Sequence, residues 1–200
     1  MSLCGSGGRI LAAQDAGPAA TLTVMIYNYA AIPAGTLEAA EREAGNIFRE
    51  AGVELAWVEC GLTEGDTEKF AACERVADRR GPAVKLIPQS MAARMPRPTD
   101  WFAIAVPSAI TVFHHQVREA AEKGGIPERR LLGCILAHEL GHEVLGSDSH
   151  SPSGIMKAKL RPADFALAER GLLRFSNEEG NRLRAGLGER LLSTTAAAKP

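Results

Sequence analysis

The 200-residue chain is 46% hydrophobic and 24% charged, a size and balance at which one globular domain buries enough apolar surface to fold. Its 23 Lys and Arg stand against 24 Asp and Glu, so no net field draws it toward nucleic acid or an anionic membrane. The longest apolar runs, such as Ile135-Leu136-Ala137, fall far short of the ~20 residues a membrane helix needs, so neither kind of partner is expected.

Met1 to Ala20 is rich in Gly, Ala and Ser and lacks the basic and apolar regions of an intact secretory signal. The expectation is a flexible segment over 1–20 followed by a single domain over 21–195, present as a monomer. Thr23 to Tyr27 reads as a strand. Apolar residues at Leu37, Ala40, Ala44, Ile47, Phe48 and Ala51 then recur at helical spacing up to Gly52, and Val53 to Val58 reads as a second strand. Strand, helix and strand make a βαβ opening. The acidic group Glu38, Glu41 and Glu43 reads as the solvated face of that helix, and Tyr27 and Tyr29 as core or surface residues.

Cys60 and Cys73 bracket a polar loop, 61–67, that has little means of ordering itself, and a disulfide between them would supply the restraint. That pairing implies an oxidising, secreted or periplasmic setting, whereas two reduced thiols would fit a cytosolic protein. Cys4 falls in the N-terminal segment and Cys134 in an apolar helix, where it reads as core.

Val84 to Pro88 and Trp101 to Val106 read as further strands, joined by a link whose Pro88, Pro96 and Pro98 exclude regular structure. A helix is expected from Thr111 to Lys123, broken by Gly124-Gly125, and a second from Pro127, a residue suited to the first helical position. Leu131, Leu132, Ile135, Leu136, Leu140, Val144 and Leu145 bury this second helix on most sides. Near the C-terminus, Ser176 to Glu179 forms a Ser-x-x-Glu capping box ahead of Leu183, Leu187 and Leu191.

The buried helix also carries His138-Glu139-Leu140-Gly141-His142, and two imidazoles four residues apart lie one above the other and can converge on one zinc ion. Glu139 is turned by about 100° from His138, beside the metal without ligating it, where it can serve as general base toward water. Catalytic zinc takes three protein ligands and keeps one position open. The next donors are Asp148 and His150, beyond Gly146, which ends the helix and turns the chain back. The adjacent His114 and His115 point about 100° apart with no carboxylate spaced to complete a second site.

The stretch from His138 to His150 resembles the extended zinc signature of metzincin peptidases, His-Glu-x-x-His-x-x-Gly-x-x-His or Asp. The glycine comes one residue late, at Gly146, so the family's third-ligand position falls on Asp148 while His150 lies eight residues after His142. His150 is the favoured third ligand because it follows the shifted glycine, with Asp148 the alternative. Ser153-Gly154-Ile155-Met156 is similar to the metzincin Met-turn, which implies Met156 as an apolar floor beneath the histidines. The resemblance further implies an α+β, zincin-like fold, with a mixed, mostly parallel sheet packed on the active-site helix and C-terminal helices following. It also implies one catalytic zinc, a peptide or protein substrate paired to an edge strand at Ala103 to Val106, and endopeptidase activity. Two rivals share the motif: an intracellular regulatory peptidase with a different third ligand, and an inactive peptide-binding module of the same fold.

Overall fold

The computed structural model describes residues 20–63, 65–77, 81–95 and 101–197. The N-terminal segment, Cys4, Pro96 and Pro98 therefore lie outside the described residues, apart from Ala20, which already belongs to the first strand. That strand, β1 (Ala20–Asn28), is paired on both sides and its Val24, Met25 and Ile26 are all buried, as expected of a parallel strand covered on both faces. The helix α1 (Ala34–Glu50) buries Leu37, Ala40, Ala44, Ile47 and Phe48, and the chain turns at Gly52, whose φ is +80°, into β2 (Val53–Glu59), parallel to β1.

The loop after β2 orders itself more than its composition implied. Asp66 Oδ2 accepts the N–H of Leu62 at 3.0 Å, the N–H of Thr63 at 3.1 Å and the hydroxyl of Thr63 at 3.0 Å. The two backbone bonds, then the hydroxyl, hold the Asp66 carboxyl below its ordinary range. A helix that the sequence reading left unassigned, α2 (Thr67–Ala77), starts there and carries Cys73, which is disulfide-bonded to Cys60.

After β3 (Ala83–Ile87), Pro88 opens a single turn, α3 (Gln89–Ala92), within the link expected to be irregular. Next come β4 (Ala103–Val106) and β5 (Ala109–Phe113), then the helices α4 (His114–Gly124) and α5 (Glu128–Leu145). The helix expected from Thr111 thus begins three residues later. Thr111, Val112 and Phe113 form strand because β5 lies between β3 and β4 and bonds to both, and an apolar run that short carries no period to separate the two states. Pro127 stands just ahead of α5 rather than inside it. A further unanticipated helix, α6 (Pro162–Glu169), precedes α7 (Asn177–Ala197). The Ser176–Glu179 capping box is formed in both directions, with Ser176 N–H donating to Glu179 Oε2 at 2.6 Å and Glu179 N–H to Ser176 Oγ at 3.2 Å.

Among the described residues five strands form one sheet in the order β2-β1-β3-β5-β4, parallel except for β4, which runs antiparallel along the edge. The largest core cluster joins this sheet to α1 and α5, and no helix of the described residues is long and apolar enough to cross a membrane. Where α1 and α5 cross, a Cβ on Gly133 would lie 2.8 Å from the Ala40 carbonyl oxygen, so the glycine permits the approach. Cys134, beside it, is fully buried, and burial pushes its thiol up to about 12.

The acidic face of α1 is only partly solvated. Glu43 is 6% exposed and pairs with Arg130, with Arg174 Nη1 3.7 Å away, because its position continues the buried Ala40–Ala44 face. Glu41 is half-buried, and burial, then the nearby Glu59 and Glu38, push its carboxyl up to about 7. A carboxyl raised on folding favours the native state while it is protonated, and that contribution is lost as pH rises from about 4.5 through 7. Glu41→Gln is therefore expected to leave the unfolding midpoint unchanged at pH 4 and to raise it at pH 8. Urea titrations at the two pH values check this, and equal shifts at both would contradict it.

Candidate metal centre and cleft

The three histidines singled out in the sequence as candidate metal ligands meet at the C-terminal end of α5. Its interior residues from Leu131 to Leu136 are buried against the sheet and α1, and this fixes the rotation of the helix and turns His138, Glu139 and His142 toward a cleft along β4. Gly146 caps the helix with φ +99° and ψ 158°, a conformation open essentially to glycine. The reversal is tightened by Ser149, whose hydroxyl donates to the Gly146 carbonyl at 2.6 Å. The next residue, His150, is thereby returned to the helix.

His138, His142 and His150 are, among the described residues, the one group of three or more His, Cys, Asp or Glu side chains gathered tightly enough to hold a metal ion. The Nε2 atoms of His138 and His142 are 3.0 Å apart, and those of His142 and His150 are 3.1 Å apart. A tetrahedral zinc with bonds of about 2.0–2.1 Å spaces its nitrogens by about 3.3–3.4 Å, so three imidazoles in this arrangement fit one ion. Asp148, exposed like His150, does not join the group.

The far side of each helical imidazole decides its tautomer. His138 Nδ1 lies 2.8 Å from the Ile155 carbonyl, and His142 Nδ1 lies 3.2 Å from the Gly146 carbonyl and 3.2 Å from Ser149 Oγ. A carbonyl only accepts, so both Nδ1 atoms carry the proton. Burial holds the His138 imidazole down to about 4, against a weaker upward pull from the Ile155 carbonyl, and burial lowers His142 as well. Both rings are therefore neutral, and their Nε2 atoms present lone pairs to each other at 3.0 Å. Two lone pairs so placed repel unless a cation lies between them.

Glu139 lines the same cleft at 9% exposure, and burial pushes its carboxyl up to about 7, the range in which a carboxylate exchanges protons readily at neutral pH. Ile155 and Met156 are fully buried. The turn that carries them is locked by Ile155 N–H donating to the Arg174 carbonyl at 2.9 Å and Ser151 N–H donating to the Met156 carbonyl at 2.9 Å. Met156 also explains the residue inside the motif, because a Cβ on Gly141 would meet its Sδ at 2.6 Å. Gly141→Ala is expected to displace the Met156 side chain packed against it and to cost about 1–3 kcal/mol by overpacking. Denaturant unfolding reads the cost directly, and a variant as stable as the parent would contradict the tight packing of Met156 on Gly141.

The cleft encloses ≈ 790 Å³ between β4 on one side and the 157–160 segment on the other. Its walls include Trp101, Phe102, Ile104, Ile135 and Leu160, with Lys157 and Lys159 along the lower edge. Neither Ile155 nor Ser149 stood out in the sequence as a site residue, since the first acts through a backbone carbonyl; the adjacent Met156 was the available signal. His114 sits apart from the cleft, its Nε2 2.7 Å from Glu128 Oε1, and Tyr27 and Tyr29 stack on each other away from the histidines.

No family model and no curated protein matches this sequence. The fold does have solved counterparts. A zinc-dependent peptidase from Methanocorpusculum labreanum superposes with a TM-score of 0.53 at 14% identity, covering 80% of this chain and 99% of that one. Archaemetzincin from Methanopyrus kandleri superposes with a TM-score of 0.50 at 15% identity, covering 84% of this chain and 97% of the other. The mostly parallel sheet with its antiparallel edge, packed on a histidine-bearing helix, is thus the zincin-like fold that this chain shares with those peptidases.

Proposed function

We propose that this chain is a zinc-dependent endopeptidase. The observation that carries the reading is the convergence of three imidazoles, two of them fixed as neutral tautomers with lone pairs 3.0 Å apart, a cluster suited to a zinc ion and unfavourable without a cation. His138, His142 and His150 would hold the ion, with Met156 closing the floor beneath them. Zinc in that position supplies Lewis acidity, polarising a carbonyl and easing the deprotonation of water.

The chain's own residues do the rest. Glu139, on the cleft wall beside the histidines, takes the proton of the attacking water on its carboxylate and returns it to the departing amine. Burial raises that carboxyl from its ordinary range, and a cation held by the neighbouring histidines would draw it back toward the ionised form that takes up a proton. The antiparallel edge β4 lines the cleft over its whole length, and an extended peptide can add to it as a further strand. The apolar side chains around it favour a substrate that buries apolar groups. A peptide-binding module without turnover has no use for a desolvated carboxylate at this place, which favours the catalytic reading. The Cys60–Cys73 bridge supports a secreted or periplasmic setting.

Elemental analysis joined to a peptide-library digest tests the proposal. About one zinc per chain is expected, with cleavage inside library peptides that a chelator abolishes and added zinc restores. A chain that holds zinc and cleaves nothing would return the binding-module reading, and one that holds no metal would remove both.

A further inference from the structure

Glu143 follows the second histidine of the motif and lines the same cleft, and its carboxylate reaches the hairpin that joins β4 to β5. The register of β4 and β5 pairs Val106 with Ala109 and leaves Pro107-Ser108 as a two-residue loop. Ser108 has φ +64°, so proline followed by a left-handed residue gives the pattern of a type II turn, whose second position normally belongs to glycine. Such a turn also mismatches the twist of a hairpin, so this one needs support from outside itself.

Two bonds supply it. Ser108 N–H donates to Glu143 Oε2 at 3.0 Å, and the Ser108 carbonyl accepts Ala83 N–H at 3.0 Å. The turn is therefore held to the sheet through its carbonyl and to α5 through its amide. Among the described residues no strand lies beyond β4, and the Glu143 bond spans 35 residues of sequence to join this edge to the helix that carries His138 and His142.

We infer that Glu143 is a positioning residue that clamps the β4–β5 turn to the metal-bearing helix and so sets the height of the substrate-pairing edge above the histidines. This rests on the peptidase reading for its kinetic consequence, but the clamp itself does not. An extended peptide bonded to β4 must bring its scissile carbonyl to the histidine cluster, and a drift of the strand by a fraction of an ångström disturbs that registration. The bond is charge-assisted, which makes it stronger than one between neutral groups.

The test compares the zinc-loaded Glu143→Ala, Glu143→Gln and Ser108→Gly chains with the parent. Glu143→Ala should keep its zinc and its kcat within about twofold while KM for extended peptides rises about three- to tenfold, the range expected for one lost hydrogen bond. Amide exchange over residues 103–109 should quicken by a similar factor. Glu143→Gln keeps an oxygen acceptor without the charge and should recover part of both readings, and Ser108→Gly keeps the N–H and should match the parent. Unchanged exchange in Glu143→Ala, or a Glu143→Gln chain as impaired as Glu143→Ala, would overturn the clamp. Faster exchange with an unchanged KM would overturn its role in positioning substrate. If the parent cleaves no peptide, the peptidase reading fails on that result alone and the exchange comparison still decides the clamp.

Discussion

Glu139→Gln is expected to retain about one zinc per chain and to lose peptide hydrolysis by about two to four orders of magnitude, the contribution typical of a positioned general base. The substitution preserves side-chain volume and removes only the ability to take a proton. Since burial is the cause that pushes this carboxyl up to about 7, replacing it with a neutral amide also relieves a desolvation cost. The metal-free variant should therefore unfold at a temperature no lower than the metal-free parent's. Retained metal and retained fold with lost turnover is a combination that a structural carboxylate would not produce. Metal analysis, thermal unfolding and single-peptide kinetics on one preparation measure all three, and activity within a few-fold of the parent would remove Glu139 from the reaction.

The second large effect concerns the third ligand. His150→Ala is expected to weaken zinc binding by more than about a hundredfold, because losing a ligand should exceed the roughly 10- to 100-fold cost of losing one of its supporting hydrogen bonds. Asp148→Ala should bind zinc as the parent does. The argument is positional: His150 Nε2 lies 3.1 Å from His142 Nε2, while the Asp148 carboxylate is not among the converging donor atoms. Competition against a chromophoric chelator gives both affinities, and a larger loss in Asp148→Ala would reverse the assignment. Ser149→Ala offers a graded companion. It removes the hydroxyl that braces the Gly146 carbonyl and His142 Nδ1, so its effect should fall between the other two.

Much of this arrangement was legible before any coordinates. The helical spacing of Leu37 to Ala51, the βαβ opening, the burial of α5 and the Ser176–Glu179 box all follow from local chemistry, and the structure has each of them. Local reading failed where pairing or packing outweighed propensity. Residues 111–113 became strand because neighbours on both sides of β5 offered hydrogen-bond partners, which no window of sequence contains. Glu43 looked like one more solvated carboxylate until Arg130 and Arg174, 87 and 131 residues away, converged on it. The loop after Cys60 drew its order from a single side chain, Asp66, rather than from the disulfide alone.

The candidate site divides along the same line. Two histidines four residues apart, with a glutamate between them, already define one side of a metal centre, because helix geometry alone stacks their side chains. The third position could not be read in this way. Asp148 and His150 are both within reach of a chain that reverses at Gly146, and only the particular turn, with Ser149 bonded back to the Gly146 carbonyl, brings one of them to the cluster and leaves the other outside. The protonation pattern that makes the cluster suited to a cation likewise depends on the Ile155 carbonyl, contributed from 17 residues beyond His138. The local code of this chain sets which groups can do chemistry, since side-chain type and helical period are short-range properties. Which of those groups meet, in which tautomer and under which edge strand, is set by long-range contacts, because each requires loop closure and burial that only the packed chain supplies.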